Sequence, residues 1–407
     1  MAVSVEEALE LIYKNTKKLS LQILPIEQAL GSILACDIVA THNLPPYDNS
    51  AMDGYAVKIS DSNKTLKLLG AIFAGDNSNL ILESQHAIKI MTGARIPQGC
   101  DTIVPIEEVT IIDEDIKLPD SLVLAKHIRF CGEDIKAGTK ILNKNQKLQA
   151  HHITLLASQG ISHVQVFKKV RIALFSSGNE LKMHYETLQS HQLYNTNTPT
   201  FYARAQELGC EVTFIGTASD TLTDIKNHIK SALDSDIIIT SGGISVGDAD
   251  FTKEAFEAFD YENIFDGIDI KPGKPTSFGR IKDCFILNLP GNPLAAALNF
   301  EIFAHAMILS ISGVDEKYLN TIETKIAHDY KLKKGKRTII VGYYNGNSFM
   351  PCEKFAPGMV SPLAKSNGFI MVDKSCDFIA KNSVVKFFST RFSFTSAIKT
   401  NLVTCHN

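Results

Sequence analysis

The sequence predicts a multidomain chain of the α/β plus β class. Three observations carry that expectation. Residues 169–316 alternate continuous apolar strands with helical segments. Residues 36–145 consist of short β-branched runs separated by Gly, Pro, Asn and Asp, and from about residue 317 the strand-and-turn texture returns. The length of 407 residues agrees, because roughly 100–200 residues per domain gives two to four domains.

The elements follow in order. In MAVSVEEALELIYK, Ser4 and Glu7 form a capping-box pattern, and Val5, Ala8, Leu9 and Ile12 recur at helical spacing. Residues 1–35 are therefore expected to be helical. This start has no basic residues before an apolar core, so it does not read as a secretory signal. LKLLGAIFAG and HAIKIMTGA read as strands of the β-rich stretch. Residues 146–165 return to helix, with Ile153, Leu155, Leu156 and Ala157 leading to Gly160. RIALFSSG, EVTFIGTASD, DIIITSGG and CFILNLPG then read as four strands, with helices at 199–209, 221–234 and after Asn292. Their unbroken apolar character predicts a parallel sheet covered on both faces. The longest apolar stretch, 294–311, is interrupted by Asn299, Glu301 and His305 and reads as a buried helix, not a membrane span. RTIIVGYY, GFIMVD and SVVKFFS are the closing strands. The basic run Lys331 to Arg337 reads as an exposed strand edge with a turn at Gly335.

Composition excludes some functions. The formal net charge is −3, which argues against nucleic acid as a partner and leaves room for a metal or a small anion held by local cations. The eight cysteines include no C-x-x-C pair. They read as scattered buried thiols in a reducing cytosol.

The run PPYDNSAMDGYA at 45–56 is built for a site more than for packing. Prolines stiffen its approach, and Asp48, Asn49 and Ser50 favour turns. Met52, Tyr55 and Val57 would pin the loop so that it presents Asp53. A solvated surface loop is the plain alternative.

Ligands of parallel α/β sheets bind beyond the carboxyl ends of the strands. Four such ends here are polar and rich in Gly or Pro. They are Ser176 to Glu180, Ser219-Asp220, the loop from Ser241 to Asp250, and Pro290-Gly291-Asn292-Pro293. In the third, Gly242, Gly243 and Gly247 free backbone N–H groups for phosphate oxygens, and Ser241 and Ser245 add hydroxyls. Helix capping accounts equally well for one of Asp248 and Asp250. Glu180 and Asp220 are as readily helix N-terminal acids. Lys271-Pro272-Gly273-Lys274-Pro275 can aim two ammonium groups at one anion, whereas in isolation it would read as a surface hairpin. Thr92 in IMTGA and Asp134 in GEDI close turns of the β-rich part.

PPYDNSAMDGYA, IMTGARIP, GEDI, SSGNEL, SGGISVGDADFTK, KPGKP and LPGNP stand in the order found in the molybdenum insertases, and essentially the whole chain resembles that MoeA family, which includes the gephyrin E domain. The resemblance implies a molybdopterin molybdenumtransferase. It implies four domains: a discontinuous helical part at 1–40 and 142–168, a β-rich insertion at 41–141, a molybdopterin-binding domain at 169–316, and a small C-terminal β-barrel at 317–407. The third would be a three-layer α/β domain with a mostly parallel sheet, like that of the molybdopterin adenylyltransferases. The substrates would be molybdate and adenylylated molybdopterin, with AMP released and Mg2+ required. The protein would be a cytoplasmic homodimer, its active cleft formed by the α/β domain of one subunit and the β-rich region of the other. A molybdopterin adenylyltransferase and later cofactor-handling proteins would be its partners, with no nucleic acid and no membrane.

Residue by residue, the resemblance assigns catalytic roles to Asp53, Thr92, Asp134, Glu180, Asp220 and Asp250. It assigns metal binding to Glu180, Asp220 and Asp250. Ligand binding falls to Ser241, Gly242, Gly243, Ser245, Gly247, Lys271, Lys274, Pro290, Gly291, Asn292 and Pro293. Two positions depart from the family pattern. Ala295 stands where a serine is frequent, and Gly342 where a second arginine of the first C-terminal strand is frequent, although Arg337 is kept. Both would bear on molybdate. Two other functions compete: molybdopterin adenylylation, which the α/β part alone would permit, and a non-enzymatic dimeric scaffold.

Overall fold

The computed structural model describes residues 2–242 and 251–391. They form two compact units, Ile23–Val166 and Met1–Gln22 with Phe167–Asn407.

The first helix, Val5–Asn15, starts as its sequence dictates: Ser4 Oγ accepts from Glu7 N–H and Glu7 reaches back to Ser4 N–H. The helical expectation for all of 1–35 fails beyond it. Leu21–Pro25 is extended and Ile26–Gln28 is a single 3-10 turn. The segment Leu21-Gln22-Ile23-Leu24-Pro25 alternates in exposure rather than following a helical stripe, and Pro25 cannot donate into a helix.

In the unit Ile23–Val166, six strands lie in the order 102–105, 54–57, 86–90, 65–72, 115–117, 110–112. All neighbours are antiparallel except 65–72 with 86–90. Period-two alternation gives this sheet two cores. Tyr55 and Val57 join Leu66, Val104 and Ile116 on one face, while Ala56 joins Ile72, Ile88 and Ile103 on the other. A separate cluster gathers Ile26, Leu34, Ile38, Leu142, Leu156 and Val164 around the helix Ala150–Ser158.

In the other unit, a six-stranded sheet runs in the order 211–218, 171–177, 237–241, 284–289, 277–281, 262–266. Its first four strands are parallel and its last two antiparallel. Leu174, Ile237, Ile239 and Leu287 pack with Phe201, Leu294 and Phe300 of helices on one face. Ala173, Phe175, Ile238 and Ile286 pack with Ile225, Ile229 and Phe256 on the other. Strands 171–177, 237–241 and 284–289 are thus buried on both sides, as their unbroken apolar sequences require, whereas 211–218 and 262–266 at the sheet edges stay partly exposed. The helical stretch Pro293–Ser312 is, among the described residues, the one long and apolar enough to cross a membrane, and 89% of its apolar window is buried inside the fold.

Strands 322–326, 348–351, 338–344, 368–372 and 384–389 close a five-stranded barrel around Ile326, Ile340, Phe349, Ile370 and Phe387. The basic run is largely exposed, as expected, and lies outside the barrel sheet. Tyr330–Lys331 pairs with Phe378–Ile379 in a ribbon of its own, Gly335 turns the chain, and Lys334 pairs with Asp377. The thiols differ from expectation: among the described cysteines only Cys284 is buried and Cys131 is exposed.

Candidate active site

The carboxyl edge of the parallel sheet opens on a cavity of about 720 Å3. Its lining brings together Glu180, Asp220, Ser241, Gly242, Pro290, Gly291, Asn292 and Pro293, contributed by all four strand ends. The geometry follows from the strand order, since 211–218, 171–177, 237–241 and 284–289 are parallel neighbours and their ends must lie side by side.

The first two ends are tied together. Asn179 N–H donates to Asp220 Oδ2 at 3.1 Å, and Asp220 N–H donates to Asn179 Oδ1 at 3.1 Å. Behind them Asp224 accepts from Ser219 N–H at 2.7 Å and Ser219 Oγ at 2.8 Å. Those bonds hold the Asp224 carboxyl below the usual carboxylate range, led by the backbone donor. Ser241 is buried and its hydroxyl is committed, donating to Pro290 O at 3.0 Å and accepting from Asn197 Nδ2 at 2.6 Å. It shapes the cavity wall instead of offering a free donor. Gly243, Ser245, Gly247 and Asp250 lie outside the described residues.

Sequence reasoning missed the third wall. Leu193, Tyr194, Asn195, Thr196 and Asn197 line the cavity, as does Gly358 from the C-terminal part. Asn195 Nδ2 donates to Ser176 Oγ at 2.8 Å, and Asn197 Nδ2 also donates to Gly291 O at 2.7 Å. The Asn195-Thr196-Asn197-Thr198 run opening the helix Asn197–Glu207 was the available signal, but such a run reads first as a helix cap.

The lysine turn stands apart. Lys271 and Pro272 line a second cavity of about 390 Å3 together with Tyr330, Thr338, Glu353 and Lys354. Pro275 lines the first cavity, Pro357 the second and Gly358 the first. Both lysines are exposed. Neither lines the first cavity among the described residues.

Within the unit Ile23–Val166, Asp53 and Thr92 meet. Asp53 Oδ1 accepts from Thr92 N–H at 2.7 Å and Thr92 Oγ1 at 2.8 Å. These two donors, the backbone one first, lower the Asp53 carboxyl below its ordinary value. Tyr55 and Val57 are buried and anchor the loop, whereas Met52 is exposed. Asp134 sits on another turn, its N–H donating to Leu44 O.

At the two positions where the resemblance leads one to expect a serine and an arginine, the structure places small residues in packed surroundings. Ala295 is buried in the first turn of the helix Pro293–Asn299. Gly342 lies opposite Gly368 in the barrel, and a Cβ on it would fall 2.6 Å from the Phe349 ring and 2.3 Å from Met350 O. Only glycine admits that ring. Arg337 is paired with Glu6, and with Asp373 at 3.9 Å.

No group of three metal-ligating side chains occurs among the described residues. Glu180 and Asp220 nevertheless line one cavity whose described lining includes no lysine or arginine. A phosphate-bearing ligand there needs a cation, and a magnesium ion held by one or two carboxylates plus phosphate oxygens fits this donor set.

A mostly parallel α/β sheet with acids and glycine turns along its carboxyl edge, accompanied by a closed barrel, defines a class of ligand-binding α/β enzymes. Known proteins narrow the class. A family model for the MoeA N-terminal region (domain I and II) matches residues 3–160, and one for a probable molybdopterin binding domain matches 173–309. A Haemophilus influenzae protein named molybdopterin molybdenumtransferase is 35% identical over 364 residues, 87% of this chain and 90% of that one. A Staphylococcus aureus protein of the same name is 29% identical over 385 residues, 91% of each chain. The crystal structure of a molybdopterin biosynthesis MoeA protein from Pyrococcus horikosii superposes with a TM-score of 0.84 at 28% identity, covering 97% of this chain and all of that one. The chain belongs to the MoeA family of molybdopterin molybdenumtransferases.

Proposed function

We propose that this chain inserts molybdenum into molybdopterin during molybdenum cofactor biosynthesis. The observation that carries the reading is the cavity at the carboxyl edge of the sheet, lined by Glu180 and Asp220, in a chain aligned over most of its length with molybdenumtransferases.

The finer reading is that the substrate is adenylylated molybdopterin, that molybdate supplies the metal, and that AMP leaves. A pyrophosphate-linked nucleotide and a dianionic oxyanion repel each other, so cations must offset the repulsion. Mg2+ on Glu180 and Asp220, with Asp250 as a further ligand, would neutralise phosphate charge. Glu180 also orients the substrate. Lys271 and Lys274 receive molybdate from their turn. Asp53, ionised and held by Thr92, relays protons as oxide groups leave molybdate, with Asp134 supporting its loop. In this reading Asp53 acts from the second subunit of a homodimer. The layout of 1–40 with 142–168, 41–141, 169–316 and 317–407 belongs to this reading. The cluster of Ile26, Leu34, Leu142 and Val164 supports joining the two pieces of the first part, although Val5, Ala8 and Ile12 pack in a core shared with 169–316 and 317–407. The protein works in the cytoplasm, receiving its substrate from an adenylyltransferase and passing its product to cofactor-handling proteins.

The test supplies purified protein with adenylylated molybdopterin, molybdate and Mg2+. AMP release together with activation of an apo-molybdoenzyme is expected. Consumption of ATP and free molybdopterin instead would make it an adenylyltransferase and overturn the reading.

A further inference from the structure

Asn299 is a polar side chain with no exposed surface, set in the apolar helical stretch Pro293–Ser312. Burying an amide there is unfavourable unless it is used. Its Nδ2 donates to Gly273 O at 3.1 Å and to Thr276 Oγ1 at 3.0 Å, and Thr276 Oγ1 in turn donates to Gly273 O at 3.0 Å. Gly273 O can only accept, so the amide is fixed with nitrogen towards the turn. Its Oδ1 is left buried without a partner. A helix interior serving only packing would carry a leucine here, with nothing orphaned.

The partner of this amide is the middle of the Lys271-Pro272-Gly273-Lys274-Pro275 turn. Gly273 has φ +118°, and a Cβ on it would fall 2.0 Å from Asn299 Nδ2. Helix and turn are thus keyed together, with no room for a side chain at Gly273 while the Asn299 amide is in place. On the other side the turn is bonded to the barrel: Lys271 N–H donates to Arg337 O at 2.8 Å and Ile339 N–H to Lys271 O at 2.8 Å. Backbone bonds hold Lys271, and Asn299 holds Gly273, one residue before Lys274. Neither ammonium group has an acidic partner among the described ion pairs.

We infer that Asn299 is a positioning residue for the reaction: its amide latches the turn at Gly273 and so sets the separation and direction of the Lys271 and Lys274 ammonium groups that receive the oxyanion. The inference rests on the reading of those lysines as oxyanion ligands. Two ammoniums on a fixed turn match a dianion without reorganising when it arrives.

The test compares Asn299→Leu, which keeps the number and branching of side-chain heavy atoms and removes the donor, with Thr276→Val and Lys274→Ala in the full-length protein. Hydrogen exchange of residues 271–276 is measured first. It should rise about tenfold in Asn299→Leu while barrel strand 338–344 is unchanged. Steady-state kinetics should then show KM for molybdate raised about tenfold, with kcat at saturating molybdate within about a factor of two. Thr276→Val should move both readouts the same way and less. It carries the test alone if Asn299→Leu does not fold. Combining Asn299→Leu with Lys274→Ala should add nothing to the KM of Lys274→Ala. Unchanged exchange in 271–276 overturns the latch. Raised exchange with an unchanged molybdate KM overturns the positioning role when Lys274→Ala does raise KM. If Lys274→Ala also leaves KM unchanged, the lysine reading is what has failed, and the inference falls with it.

Discussion

Asp220 and Asn179 hold each other through two bonds of 3.1 Å, so charge and geometry can be separated at this position. An Asp220→Asn side chain can still accept from Asn179 N–H. Stability should therefore change by less than about 0.5 kcal/mol, while molybdenum insertion should fall about a hundredfold and lose its response to added Mg2+. Denaturation curves and a Mg2+ titration of activity check this, and undiminished activity would remove Asp220 from the site. Asp53 permits a pH test. Its folded pKa is depressed by Thr92. Its stabilising contribution is therefore present above the unfolded value and is lost as pH falls through the folded value. Thr92→Val removes the hydroxyl donor and leaves the backbone one. The Asp53 carboxyl should titrate at higher pH, and the acid limb of the rate profile should move up with it. Carboxyl-carbon NMR of Asp53 reads the first and initial rates the second. These acids were legible in the sequence, because each follows a strand or sits on a Gly-bearing turn. Asn195 and Asn197 were not, because only the folded helix start shows that their amides face Ser176, Ser241 and Gly291.

At the scale of elements, the barrel strand 338–344 shows why position 342 takes a glycine. Gly342 faces Gly368, and the Phe349 and Phe387 rings lie over the space their missing side chains leave. Gly342→Ala should destabilise the protein by about 1–3 kcal/mol through overpacking, measured by urea unfolding. An unchanged midpoint would mean the ring is free to move. The core helix carries a second test. Its π-helical turn Phe300–Ala304 places Glu301 against Arg204, with Oε1 2.7 Å from Nε. Burial pushes the Glu301 carboxyl up despite the guanidinium. Glu301→Leu leaves Arg204 without its inner partner and should cost about 3–5 kcal/mol, much of it recovered by adding Arg204→Met. The helix itself was readable from its apolar run. Its π turn was not, because the register of backbone bonds depends on what the side chains meet. Leu21–Pro25 was misread as helix for the same reason: an apolar-rich short segment fits either period until its surroundings choose.

For the whole molecule, the proposal that Asp53 acts across a homodimer has a direct consequence. Coexpressed Asp53→Asn and Asp220→Asn subunits should form mixed dimers with one intact site out of two. With random pairing, activity should recover to about a quarter of the unmutated level, far above the residual activity of either variant alone. Light scattering gives the dimer mass, and insertion assays give the recovery. No recovery in mixed dimers would put both acids in one subunit.

By itself the sequence determined that four strands within 169–316 form the parallel part of a sheet with polar and Gly-bearing or Pro-bearing turns at one edge, because unbroken apolar strands joined by helices bury both faces that way. The antiparallel strands 262–266 and 277–281 appear only in the structure. It also determined that Asp53, Glu180 and Asp220 sit on turns, and that β-rich segments flank the sheet. Only the tertiary structure decided which of these meet. It joined Asp53 to Thr92 and tied Asp220 to Asn179. It spent the Ser241 hydroxyl on the cavity wall, put Lys271 at a second cavity, and keyed Asn299 into Gly273. Local sequence fixes where the chain turns. Contacts between residues 26 to 49 positions apart depend on strand order and packing, which no short window contains.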